Sequence, residues 1–231
     1  MGTPKHLLPF GDSRTDRQSV PQRTMLQVVV ETLRQVASPV VVVRSAGQEL
    51  PELPADVLIA EDEEPELGPL AGLCAGMEAL VDGSFSHDSE SSERSAAWMA
   101  YPRRAPLRKA FESRLNGVEA AFLASCDTPL LRPDVARYLI DSLGDHDAAV
   151  VRDGEFCHVL AAVYSIRLFP RIREMLRERR LRLQGLIETS DTRIVEADEI
   201  RRFDSNLHSF RNANTPEDYA TLLRIAGFGE K

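Results

Sequence analysis

Apolar residues along this chain fall into two alternating kinds of run. The first kind is short and continuous: VVVVR at 40–44, VLIA at 57–60, EAAFLA at 119–124, DAAVVR at 147–152 and HVLAAVY at 158–164. Runs of this length predict strands. Their continuity predicts a sheet with helices over both faces. The second kind has helical spacing. Leu26, Val29, Val30, Leu33 and Val36 fall on one face, and residues 69–81 form a Leu- and Ala-rich stretch. Residues 133–143 follow, with Pro133 at a first helical position, then 168–179 with Pro170 near its start. The last helix begins at Thr215, which can cap it. Pro216 sits in its first turn, and Glu217 and Asp218 complement the positive end of the helix dipole. Strands alternating with helices predict βαβ units and an α/β fold with a mostly parallel sheet.

Residues 82–117 break the alternation. Their first half, DGSFSHDSESSERS, is polar and Ser-rich, and it reads as a flexible loop. Their second half, PRRAPLRKAFESR, is basic and suits a short amphipathic helix. The segment reads as a surface insertion, or as a lid that meets an anionic substrate. The whole chain, 231 residues with 43% hydrophobic content, suits a single domain over 1–231. No apolar run is long enough to span a bilayer, and residues 1–11 do not have the form of a secretory signal. Cys74, Cys126 and Cys157 are odd in number and far apart, which fits a reducing, cytoplasmic setting better than a disulfide framework. The net charge of −8 argues against nucleic acid or an anionic membrane as partner. It leaves room for a small anionic ligand held by a local basic group and a metal ion.

Several segments carry side chains suited to chemistry, each with a plainer reading beside it. Gly68–Leu73, GPLAGL, follows a strand and opens a helix. It is either a structural Gly-Pro turn or a place where backbone approaches a ligand. Asp127, in ASCDTPLL, ends an apolar strand where open α/β sheets place their ligands. It serves as a turn cap or as a ligand for a hard cation. Lys5 is a solvated charge or a phosphate partner, and Asp62 belongs to a solvated acidic run or to a site ahead of Gly68. His158 reads as a structural histidine. Asn212 and Asn214, in FRNANTPEDY, are explained by capping or by contact with phosphate or metal-bound water.

Taken in order, MGTPKHLLPFG, GPLAGL, CDTPLL and NANTPEDY resemble the molybdenum cofactor guanylyltransferases, within the wider group of MobA-like NTP transferases. The resemblance covers nearly the whole chain except 82–117. It implies a Rossmann-like three-layer nucleotidyltransferase fold and Mg²⁺-dependent transfer of GMP from GTP to molybdopterin. Molybdoenzymes or cofactor-delivery proteins would be further partners. By position, Lys5 matches the lysine closing the family's phosphate loop and Asp127 the metal-binding aspartate. Asp62, Gly68, Leu70 and Gly72 match the nucleotide site, and Asn212 and Asn214 the paired asparagines. A CTP- or sugar-phosphate-specific transferase would share these features.

Two departures accompany the resemblance. Family members open with an apolar strand and a loop of the form LAGGxSxRMGxxK. Here Met1 and Gly2 match the Met-Gly of that loop, while its strand, paired glycines and arginine are missing. The sheet is therefore expected to lack its first strand. Either the true start lies upstream of Met1, or the chain is a non-catalytic binding protein. Arg44 stands where the family more often has a small polar residue, which implies altered base recognition.

Overall fold

The structure is a computed structural model and describes residues 4–11, 22–82 and 118–228. Strands β1 (Val40–Ser45) and β2 (Val57–Asp62) pair in parallel, Val40 opposite Val57 and Ser45 opposite Asp62. A second sheet holds β3 (Ala120–Ala124), β4 (Ala148–Asp153), β5 (Phe156–Cys157), β6 (Ala161–Ser165) and β7 (Thr192–Glu196). Between strands and after them run α1 (Met25–Leu33), α2 (Pro69–Asp82), α3 (Pro133–Ser142), α4 (Phe169–Arg177), α5 (Leu183–Glu188), α6 (Ala197–Ile200) and α7 (Pro216–Ile225).

Three layers result from the faces these elements bury. On one side α1 packs Leu26 and Val30 against Val40, Val42 and Val57, and α3 packs Val135 and Leu139 against Ala149, Val151, Val163 and Val195. Arg137 of α3 donates to the Gln35 carbonyl just past α1, so the two helices share that side. On the other side Leu70, Leu73, Met77 and Val81 of α2 join Ile172 and Met175 of α4 over Ala148, Val150, Ala162 and Tyr164. That layer meets β1 closely at Gly76, where a Cβ would lie 3.3 Å from Val43 Cγ2. Residue 76 is therefore small because the helix rests on β1 there.

The sheet pairing is mixed, where the sequence pattern predicts a mostly parallel sheet. β4 pairs parallel with β7 but antiparallel with β5 and β6, and β3 pairs antiparallel with β6. Gly154 supplies the cause. At φ 62° it turns the chain back after Asp153, and so short a connection can join only antiparallel strands. His158–Leu160, predicted as strand, is the turn between β5 and β6. β7, α5 and α6 are not predicted, because each offers too short an apolar run.

Among the described residues β1 and β3 do not pair with each other, and the sheet divides between them. All five residues of β3 are half-exposed, whereas every residue of β6 beside it is buried. The predicted surface insertion falls on residues outside those described, apart from the end of α2 at Asp82.

Candidate active site

A 3₁₀ turn at Lys5–Leu7 crosses the carboxyl ends of β1 and β3. Its position is fixed from three directions. Met25 donates to the Leu8 carbonyl at 2.9 Å, Phe10 donates to the Arg23 carbonyl at 2.6 Å, and the Tyr219 hydroxyl of α7 donates to the Pro9 carbonyl. His6 is buried and its Nε2 lies 2.8 Å from the Glu49 carbonyl, just beyond β1. Lys5, its neighbour, reaches the residues just beyond β3. Both strands therefore end at the same edge of the molecule, the edge where α/β sheets bind ligands.

Lys5 Nζ donates to Asp127 Oδ2 at 3.0 Å and to Asn214 Oδ1 at 2.8 Å. Asp127 is 7% exposed, and its other oxygen, Oδ1, accepts from Ser125 Oγ at 2.6 Å. The Asp127 carbonyl accepts from the Ala213 amide at 3.0 Å, which sets Asn212–Asn214 beside it. Asn214 directly precedes Thr215, whose hydroxyl accepts from the Asp218 amide at 3.1 Å while the Asp218 carboxylate accepts from the Thr215 amide at 2.9 Å. Those bonds hold the Asp218 carboxyl below its ordinary pKa, the backbone bond to Thr215 first. A capping motif thus fixes the backbone that carries Asn214.

Of the expected site residues, Lys5, Asp127 and Asn214 meet directly. Asn212 is exposed in the same segment. Asp62 closes β2 and its Oδ1 accepts from the Glu64 amide at 3.0 Å, the local role of a turn residue. Gly68 adopts φ 75° and ψ −161°, a conformation that side chains disfavour, and leads into α2. The Leu70 side chain is fully buried in the core, which leaves only its backbone for the role expected of it. A Cβ at Gly72 would meet open space. Arg44 donates to its cross-strand partner Glu61 at 2.7 Å and to the Gln48 carbonyl at 3.3 Å, so it is engaged beside β2. Sequence reasoning missed Ser125 and His6. The Ser-x-Asp spacing was the available signal for Ser125; for His6 there was none.

The oxygens here suit a hard cation. Asp127 Oδ2 and Asn214 Oδ1 already converge on the Lys5 ammonium. Among the described residues there is no group of three or more His, Cys, Asp and Glu side chains that could form an all-protein cage. A single carboxylate is nevertheless enough for an ion of the Mg²⁺ type, which takes its remaining oxygens from water and phosphates.

A match to the MobA-like NTP transferase domain spans residues 1–193. The chain belongs to the MobA-like NTP transferase family. It is a nucleotidyltransferase of α/β fold. It is 33% identical over 107 residues to a probable molybdenum cofactor guanylyltransferase of Methanosarcina mazei, an alignment spanning 46% of this chain and 48% of that protein. A probable molybdenum cofactor guanylyltransferase of Mycobacterium tuberculosis is 30% identical over 201 residues, 86% of this chain and 78% of that protein. Among solved structures, the molybdopterin-guanine dinucleotide biosynthesis protein A of Archaeoglobus fulgidus has the same fold. Its TM-score is 0.57 at 18% identity, over 95% of this chain and 96% of that one. Among the described residues no helix is long and apolar enough to cross a membrane.

Proposed function

We propose that this family member transfers GMP from GTP to the phosphate of molybdopterin and releases pyrophosphate. The contact of Lys5 with both Asp127 and Asn214 is the observation that carries the reading, because it gathers a cation and two oxygen donors from distant parts of the chain. The names of the relatives support the choice of nucleotide and acceptor.

In this reaction an acceptor phosphate oxygen attacks the α-phosphorus of GTP. A new P–O bond forms, the bond to the bridging oxygen of the β-phosphate breaks, and that oxygen leaves with the pyrophosphate. Repulsion between anions is the main obstacle, so positioning and charge stabilisation do most of the work. Lys5 offsets charge on the departing pyrophosphate. Asn214 accepts from Lys5 and so aims its ammonium. Ser125 donates to Asp127 and holds the carboxylate in place. A divalent ion, with Mg²⁺ as the candidate, would be held by Asp127 and would supply neutralisation and alignment of the phosphates. The backbone at Gly68, Leu70 and Gly72, with Asp62, forms the nucleotide side.

The test is turnover with molybdopterin and GTP, CTP or UTP in turn, read by pyrophosphate release. GTP-dependent release supports the reading, and exclusive use of CTP or UTP overturns its nucleotide. Absence of turnover with all three favours a binding protein.

A further inference from the structure

At the turns that follow β4 and β5 lies a cavity of about 380 Å³ lined by Asp153, His158, Arg201, Leu207, Phe210 and Arg211 among others. Two short chain paths tie it to the carboxylate. Leu160, two residues past His158, accepts from the Ser125 amide at 3.2 Å, and Ala213, three residues past Phe210, donates to the Asp127 carbonyl.

One wall of this cavity is aromatic. The His158 ring stacks on Phe210 with centroids 4.5 Å apart and planes 29° apart. Phe156 meets the other part of the His158 ring edge-on at 5.0 Å. Phe156 is 65% exposed, although it is a large apolar ring. Burial pulls the His158 imidazole below its ordinary pKa, against the raising effect of Asp153, so near neutral pH its ring is an uncharged surface. Stacked and edge-on rings of this kind are well suited to receive a further flat ring.

The rest of the cavity is built with care. Leu207 holds a left-handed φ of 53°, unusual for a branched side chain. Asp204, 6% exposed, accepts from the Ser209 amide at 2.7 Å and its carbonyl accepts from the Leu207 amide at 3.0 Å. These bonds set the loop so that Phe210 faces His158. At the rim, Arg201 is tied to Asp153 and Asp198. Arg211 is exposed and, among the described residues, its guanidinium has no ion-pair partner.

We infer that the wall of His158 and Phe210, backed by Phe156 edge-on to His158 and with Arg211 at its rim, is the acceptor subsite, taking a planar fused heteroaromatic ring whose anionic group points toward Asp127. This rests on the nucleotidyl transfer proposed above. A pterin and a guanine share that flat, hydrogen-bonding chemistry. The pterin of the acceptor is favoured, because Gly68 follows β2 in one sheet, whereas Asp153 ends β4 and His158 follows β5 in the other.

The experiment titrates the full-length protein with pterin-6-carboxylate, whose fluorescence is quenched on stacking, and separately with GTP. Quenching is expected in the wild type. It should weaken about ten-fold in Phe156→Ala and His158→Ala and be retained in His158→Phe, with GTP affinity unchanged. Phe156→Ala alters an exposed side chain, so its fold is preserved even if His158→Ala proves unstable. Equal weakening of GTP would make this the base subsite and overturn the assignment, as would an absence of quenching. Steady-state turnover separates the two readings. A raised acceptor KM with unchanged GTP KM in Phe156→Ala supports the subsite, and an unchanged acceptor KM in an active enzyme removes it. Quenching without any turnover keeps the subsite and removes the transfer reaction.

Discussion

Asp127 carries two separable burdens. Its carboxylate meets Lys5 and Ser125, while its backbone carbonyl, which a mutation keeps, holds Ala213. Asp127→Ala should therefore leave the fold intact by circular dichroism and reduce nucleotidyl transfer by about a thousand-fold or more. Full activity in that variant would remove Asp127 from the site. Asp204 is a different case, because its carboxylate works on structure. Burial pushes its pKa up, but bonds from Ser209 and His208 outweigh burial and hold it below the ordinary carboxylate value. A depressed native pKa means the folded state binds the proton less readily than the unfolded one. The stabilisation is complete above the unfolded value, near 3.9, and is lost as pH falls through the lower native value. Asp204→Ala is expected to lower stability by about 2 kcal/mol at neutral pH. The gap from wild type should narrow below about pH 4 in urea unfolding. A gap independent of pH would mean the carboxylate's charge is not what matters.

Elements expose what single residues do not. The turn into α2 depends on Gly68 at φ 75°, where a Cβ would touch nothing. Gly68→Ala should then cost about 1–3 kcal/mol through backbone strain alone, visible as a lower thermal midpoint. An unchanged midpoint would show that the turn relaxes freely. β3 differs from β6 in having one paired edge among the described residues and no buried residue. Amide hydrogens along β3 are expected to exchange faster than those of β6 in native-state exchange, since fewer of them are bonded and shielded. Equal protection would mean that β3's second edge is covered in solution. The positions of β1, β2, β3 and β4, and of α1 to α4 and α7, are legible in the sequence because each has a periodic apolar run or a capping signal. β7 is not, because only Ile194 and Val195 are apolar in it and its stability comes from pairing with β4.

At the scale of the molecule, the Lys5 contacts close a loop through the chain, joining residues 122 and 209 positions apart. Removing the ammonium leaves a buried carboxylate with fewer partners. Lys5→Met should lose about 1–2 kcal/mol of stability without divalent ions. Added Mg²⁺ should recover part of that loss, since a ligand bound only by the folded state stabilises it. Identical melting curves with and without Mg²⁺ would argue against a cation at Asp127. The sequence by itself determined the three-layer α/β class, since apolar continuity and helical period are local properties that survive in any packing. It also marked Lys5, Asp127 and Asn214, through motifs whose types and order are written in the chain. The reversal of strand direction after Gly154, the gap beside β3, the burial of Leu70 and the stacking of His158 on Phe210 were decided only by tertiary structure. Each depends on which distant segments come to lie together, and that is settled by packing between elements rather than by the residues of any one run.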